Sequence, residues 1–170
     1  MKKAAPSKAD LVTALALLKK ASSAKVRDGM ARYGLPADKA IGVSVGAIQQ
    51  IAKKLGRSHA LAEALWRTDI YEARLLAAFV GEPDKLTVAA MNRWCRDFDN
   101  WGGVDTVCFK LFDQSAMAWG RVEPWAKMKG EFQKRGGFVL LACLAWILYG
   151  RADVLPPYVL AIVAGAAPSR

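Results

Sequence analysis

The sequence predicts an all-α protein, an α-solenoid or compact array of short helices. Helical periodicity recurs along the chain, strand signals are scarce, and glycines and prolines punctuate the apolar runs every ten residues or so. Val45, Ile48, Ile51, Ala52 and Leu55 share one helical face. Val88, Met91, Trp94, Cys95 and Phe98 repeat the pattern, as do Val104, Val107, Cys108, Leu111 and Phe112. No Asn-Gly hairpin turn and no sustained period-two alternation competes with this reading.

Taken in order, a long first helix is expected from Lys8 to Tyr33, stopped by Gly34, and a loop from Leu35 to Ser44. Short helices follow at 45–55, 59–67, 70–80, 87–98 and 103–112. Gly56, Gly81 and the pair Gly102-Gly103 separate them, because glycine tolerates the left-handed conformation that ends a helix. Thr87 is the expected N-cap of its helix. Further helices are expected from Met117 to Lys127 and from Gly130 to Tyr149, and Pro156-Pro157 breaks the chain before a last short apolar helix. No exact repeat recurs at a fixed period, so the array reading rests on helix length and spacing.

A chain of 170 residues is read as one domain, long enough to bury a core without disulfides or metal. Lys and Arg outnumber Asp and Glu by 25 to 15, and a net charge of +10 calls for an anionic partner, nucleic acid before membrane. The three cysteines, Cys95, Cys108 and Cys143, are odd in number and widely spaced, and His59 is the single histidine. That argues against a disulfide framework or a zinc site and for free thiols in a reducing cytoplasm. The Met1-Lys-Lys start is read as a helix lead-in rather than a targeting peptide, since Lys19 and Lys20 close the apolar run at once. The charge-free stretch from Gly136 to Gly150 is too short to span a bilayer, which takes about 18 to 20 residues. It is read as a helix buried on all sides.

Four pieces of sequence, in order, carry a family resemblance. They are Gly42-Val-Ser with Ile51-Ala-Lys-Lys-Leu-Gly56; His59-Ala-Leu-Ala through Trp66 with Glu72-Ala-Arg-Leu-Leu-Ala77; Met91-Asn-Arg-Trp94 with Asp97-Phe-Asp-Asn-Trp101, Asp105, Val107-Cys108 and Leu111-Phe-Asp113; and Glu131-Phe-Gln-Lys-Arg135 leading into Phe138 and Leu140-Leu-Ala142. Across Gly42 to Ala145 the chain resembles the DNA alkylation repair enzymes, the HEAT-like-repeat DNA glycosylases. The resemblance implies stacked antiparallel helix pairs with a concave basic surface that holds duplex DNA. It also implies hydrolysis of the N-glycosidic bond of N3- or N7-alkylated purines, without metal or other cofactor. Residues 1–170 then form a single helical-repeat domain, with 150–170 a divergent tail.

The chemistry asks for little. An alkylated purine is already cationic and leaves without a general acid. The bond breaks toward an oxocarbenium-like sugar that one carboxylate can stabilise. By resemblance Asp105 is the catalytic aspartate, Trp101 holds the lesion nucleotide, and Arg135 lies beside the DNA backbone. Four residues separate Trp101 from Asp105, which puts both on one helical face. Lys134, Lys53, Lys54 and Arg57 are read as DNA-facing charge, or else as a solvated face. Glu72 and Arg74, on an otherwise apolar helix, are expected to pair structurally. Asp97 and Asp99 are read as caps for the following turn, and Trp66, Trp94, Trp119 and Trp146 as packing residues. His59 has no part in this chemistry.

The chain departs from the family at Tyr71, where relatives often carry histidine, and at Gly102, where they often carry an acid. Gly102-Gly103 is expected to loosen the segment that holds Asp105. After Tyr149 the pattern fades and no counterpart of a further lesion-site tryptophan is visible, leaving an apolar face for self-association. Two principal readings follow: a glycosylase, or a non-catalytic HEAT-like DNA-binding or scaffold protein derived from that family. A third is a peripheral membrane protein using the basic face and the C-terminal apolar segment.

Overall fold

A computed structural model describes residues 8–149, and among these residues the chain is all-helical. The proposed break at Pro156-Pro157 and the helix after it lie outside the described residues. The helices are α1 (Lys8–Lys20), α2 (Ala24–Met30), α3 (Val45–Leu55), α4 (His59–Trp66), α5 (Tyr71–Val80), α6 (Val88–Arg96), α7 (Trp101–Lys110), α8 (Trp119–Ala126) and α9 (Glu131–Tyr149).

Local chemistry sets most boundaries. The side chains of Ser44, Ser58, Thr87 and Asn100 cap α3, α4, α6 and α7, each accepting from a backbone N–H three residues on. Gly56 ends α3 with a φ of 71°, as expected. Gly81 does not act this way. Its φ is −62°, and it is small because the Leu111 side chain closes on it. The long first helix is corrected to two helices. Ser22 turns its hydroxyl back to the Lys19 carbonyl at 2.7 Å, and Ser23 goes extended and donates its N–H to the Gly42 carbonyl at 2.8 Å. Such side chains offer the backbone an alternative to helix, and periodicity does not register them. A single 3₁₀ turn, Ala31–Tyr33, then leads to Gly34.

α3, α5, α7 and α9 pack side by side in that order and form one layer. α4 lies against α5, α8 against α9, and α6 against α8 and α9, while α1 closes the other end against α3, α4 and α5. An aromatic spine links α4, α6 and α8 through Phe112, which follows α7. Trp66 and Trp94 stack at 4.1 Å, Trp94 meets Phe112 at 5.8 Å, and Phe112 meets Trp125 at 5.7 Å. Each buried indole has an acceptor: Asp97 for Trp66, Glu63 for Trp94 and Asn92 for Trp125.

α9 corrects the expectation of all-round burial. Leu140, Cys143 and Leu144 are buried, whereas Phe138, Leu141, Trp146 and Ile147 are exposed. Absence of charge therefore marked only one packed stripe. Trp146, at 77% exposure, is not the packing residue expected, while Trp66 and Trp94 are buried and Trp119 packs half-buried against the core. No helix among the described residues is long and apolar enough to cross a membrane.

The α8–α9 contact depends on Gly137. A Cβ there would run into the Ala126 backbone and the Val122 carbonyl, which cannot yield without moving α8. Gly137→Ala is expected to destabilise the protein by about 1–3 kcal/mol. Gly46→Ala on α3, where nothing lies within 4 Å, should instead stabilise it slightly. Chemical denaturation of the two variants beside the native chain checks both signs.

Candidate functional site

The centre of the site is an ion pair between α7 and α9. Arg135 donates from Nε to Asp105 Oδ1 at 2.9 Å and from Nη2 to Oδ2 at 2.8 Å. This bidentate geometry fixes the plane of the carboxylate. The pair is not sealed, since the side chains of Asp105 and Arg135 are 28% and 42% exposed. The carboxylate also raises the pKa of Arg135, so the guanidinium stays charged. The sequence offered Asp105 for catalysis and Arg135 for the DNA backbone, and the fold brings them together.

Trp101 opens α7, one turn before Asp105, and stays 40% exposed. Its indole Nε1 donates to the Tyr33 carbonyl at 2.8 Å, so its polar edge is satisfied while part of the ring is open. The helix begins at Trp101 rather than at 103 because Asn100 caps it: its Oδ1 accepts from the Gly103 N–H at 2.7 Å. Gly102 and Gly103 thus lie inside the first turn of the helix and are buried. The expected loosening is corrected as well. A Cβ on Gly102 would come within 2.7 Å of Tyr71 Oη and 2.8 Å of Leu35 Cδ2, so the glycine admits close packing. The two departures from the family pattern, Tyr71 and Gly102, are neighbours in space. Burial and the Glu72 charge push the Tyr71 hydroxyl up to about 12, so it stays protonated.

The side chains of Asp97 and Asp99 do not cap the following turn, which Asn100 caps instead. Asp97 accepts from Trp66 Nε1 at 2.8 Å, and Asp99 pairs with Lys39 Nζ at 2.8 Å. Burial opposes ionisation of Asp99, but hydrogen bonds from Lys39 and Asn100 and the charge of Arg74 outweigh it and hold its pKa low. Arg74 sits over the Trp66 ring at 5.0 Å and bridges to Asp69 at 2.8 Å. The expected pairing of Glu72 with Arg74 is corrected: Glu72 is fully buried and accepts three backbone N–H groups from Ile41, Gly42 and Val43, while Arg74 turns to Asp69.

The basic candidates divide. Lys134 is exposed on α9 beside Arg135. Lys53 and Lys54 are exposed at the end of α3, at the far side of the layer. With neighbouring helices about 8–10 Å apart, they lie roughly 25–30 Å from α9. Arg57 is exposed but donates to the Gly81 carbonyl. Burial lowers the pKa of His59 and so favours its neutral form. Burial likewise pushes the thiols of Cys95 and Cys143 up to about 12 and that of Cys108 well above its usual value, so all three stay protonated. No group of three or more His, Cys, Asp or Glu side chains among the described residues could hold a metal ion.

Sequence reasoning missed Tyr33, Lys39 and the role of Glu72. Their contacts span 29 to 68 residues of chain, beyond any local pattern. The one available signal was Glu72 itself, a lone acid in the apolar run of α5.

Comparison with known proteins agrees with this architecture. The chain resembles, with a TM-score of 0.71 and 23% identity, a solved structure from a family of proteins related to the HEAT-like repeat DNA glycosylases with affinity for branched DNA structures. The match covers 79% of this chain and 57% of that one, and at this identity it shows the HEAT-like fold. No curated protein matches. The model of the DNA alkylation repair enzymes matches residues 14–151, which extends the likeness back from Gly42 into α1. On this match, which takes in every helix of the layer, the chain belongs to the DNA alkylation repair enzyme family.

Proposed function

We propose that this protein binds duplex DNA and hydrolyses the N-glycosidic bond of N3- or N7-alkylated purines. The observation that carries the reading is the half-exposed Asp105 carboxylate, held in plane by Arg135 one turn from the half-exposed Trp101. As the bond between the sugar C1′ and the purine nitrogen breaks, its electron pair neutralises the cationic base. Positive charge develops on the sugar, and Asp105 faces that charge and orients the water that adds at C1′. The products are the free base, an abasic site and a proton. Trp101 offers the cationic nucleotide an aromatic face. Arg135 keeps N–H groups that Asp105 does not use, and these suit a backbone phosphate. The leaving group is activated by its own charge, so the step calls for no cofactor. Three buried, protonated thiols suit a cytoplasmic enzyme.

A second reading draws on the structural relative described as having affinity for branched DNA. Here the Asp105–Arg135 pair is a structural clasp between α7 and α9, and the protein binds DNA without excising a base. Release of alkylated bases by the native chain and by Asp105→Asn separates the two.

Both readings predict salt-dependent binding. Removing one phosphate contact, as in Lys134→Ala or Arg135→Ala, should lower the slope of log K against log salt by about 0.9. Titration of a labelled duplex at several salt concentrations measures it.

A further inference from the structure

We propose that Glu72 and Lys39 are positioning residues: they hold the segment Tyr33–Val43 as a strap that sets the indole of Trp101. Its catalytic meaning rests on the glycosylase reading, but the strap itself can be tested without it.

Four anchors follow one another along the strap. At its far end, buried Glu72 takes the N–H of Ile41 on Oε2 at 3.0 Å and those of Gly42 and Val43 on Oε1 at 2.7 and 3.1 Å. Gly42 has a φ of 84°, and a Cβ there would collide with the Ser23 carbonyl and Arg27. Lys39 is held twice. Its carbonyl accepts from the Tyr71 N–H at 3.0 Å, and its Nζ bridges Asp99 at 2.8 Å and Asp69 at 3.1 Å. Asp69 has a φ of 58°, a conformation that the ion pairs with Lys39 and Arg74 help to stabilise. Leu35 then closes on Gly102, and the Tyr33 carbonyl takes the Trp101 indole N–H.

All four anchors lead to the start of α5 or of α7. Asp99 lies next to Asn100, the cap of α7, and accepts from its Nδ2 at 2.7 Å. The Lys39 bridge therefore pulls on the turn that launches Trp101. An apolar residue at position 72 could fill the same volume, but only an acceptor can fix three successive N–H groups of the strap. The indole can turn only by giving up the Tyr33 carbonyl, and that carbonyl stays in place while the strap stays anchored.

The test is the indole N–H region of a ¹H–¹⁵N spectrum, with the Trp101 signal assigned by Trp101→Phe. In Lys39→Met, a half-exposed position where folding is secure, the Trp101 signal should shift and its hydrogen exchange should quicken by about tenfold. The signals of Trp94 and Trp125, which have their own acceptors, should hold still, and Lys39→Arg should restore the native signal. Glu72→Gln, which cannot accept all three N–H groups, should do the same from the other end of the strap. An unmoved Trp101 signal in folded Lys39→Met overturns the proposal, as does a shift shared equally with Trp94 and Trp125. If the native chain excises bases, release by Lys39→Met should fall by about tenfold to a hundredfold, with DNA affinity close to native. If the native chain excises none, the glycosylase reading fails and the spectrum still decides the strap.

Discussion

Asp105→Asn should release 7-methylguanine and 3-methyladenine from methylated duplex DNA about 100- to 1000-fold more slowly than the native chain. Asparagine keeps the size of the side chain and one acceptor for Arg135, so the α7–α9 contact survives. On the glycosylase reading it removes the negative charge that faces the developing sugar cation. The loss should therefore fall on the chemical step, with DNA affinity unchanged or slightly raised by one less negative charge at the interface. Single-turnover release at saturating enzyme isolates that step. Arg135→Lys should show a smaller loss, since lysine keeps the charge but cannot hold the carboxylate in plane through two parallel bonds.

Trp94→Ala should cost about 3–5 kcal/mol of stability, among the largest single effects in the molecule. Trp94 is fully buried between Trp66 and Phe112 and donates to Glu63 at 3.1 Å. Truncation opens a cavity in the middle of the spine and removes a stacked partner. It also leaves the carboxylate of Glu63 one donor short, with Arg93 and Arg67 remaining. Urea denaturation should show a lower midpoint with a nearly unchanged slope. Trp146→Ala, on the open side of α9, should move the midpoint little, because that ring is 77% exposed.

The contrast between these tryptophans shows where sequence reading succeeds. Periodicity located every helix of the layer, even α5, in which no residue is exposed. α3 runs over the predicted 45–55, and Thr87 caps α6 as expected. Two kinds of feature escaped it. Helix breaks made by side chains bonding the backbone, as at Ser22 and Ser23, leave the apolar period intact. The direction an apolar stripe faces depends on which neighbour covers it, so Trp94 and Trp146 look alike in sequence and differ in the fold. Gly102-Gly103 reads as a break between helices and is instead the first turn of α7, with Gly102 packed close under Tyr71.

The site was legible in part. Asp105 and Trp101 were marked by a family pattern and by four-residue spacing on one helix. Arg135 was marked by the same pattern, but its pairing with Asp105 across 30 residues was not, nor was that of Tyr33 with Trp101 across 68. Nothing local in the sequence encodes such pairings; they come from the order in which the layer stacks. The exposed charges at Lys53, Lys54 and Lys134 were visible as basic residues, but their separation across the layer appears only in the fold.

Whether the clasped carboxylate between α7 and α9 performs base excision can be read from the native chain alone. It should be incubated in excess with duplex DNA carrying 7-methylguanine, and free base and abasic sites counted over time. Single-exponential release of the base with matching abasic sites is the expected result. A folded chain that binds the duplex in a salt-dependent way yet releases no base above the uncatalysed rate would contradict it. That result would leave the Asp105–Arg135 pair as a structural clasp.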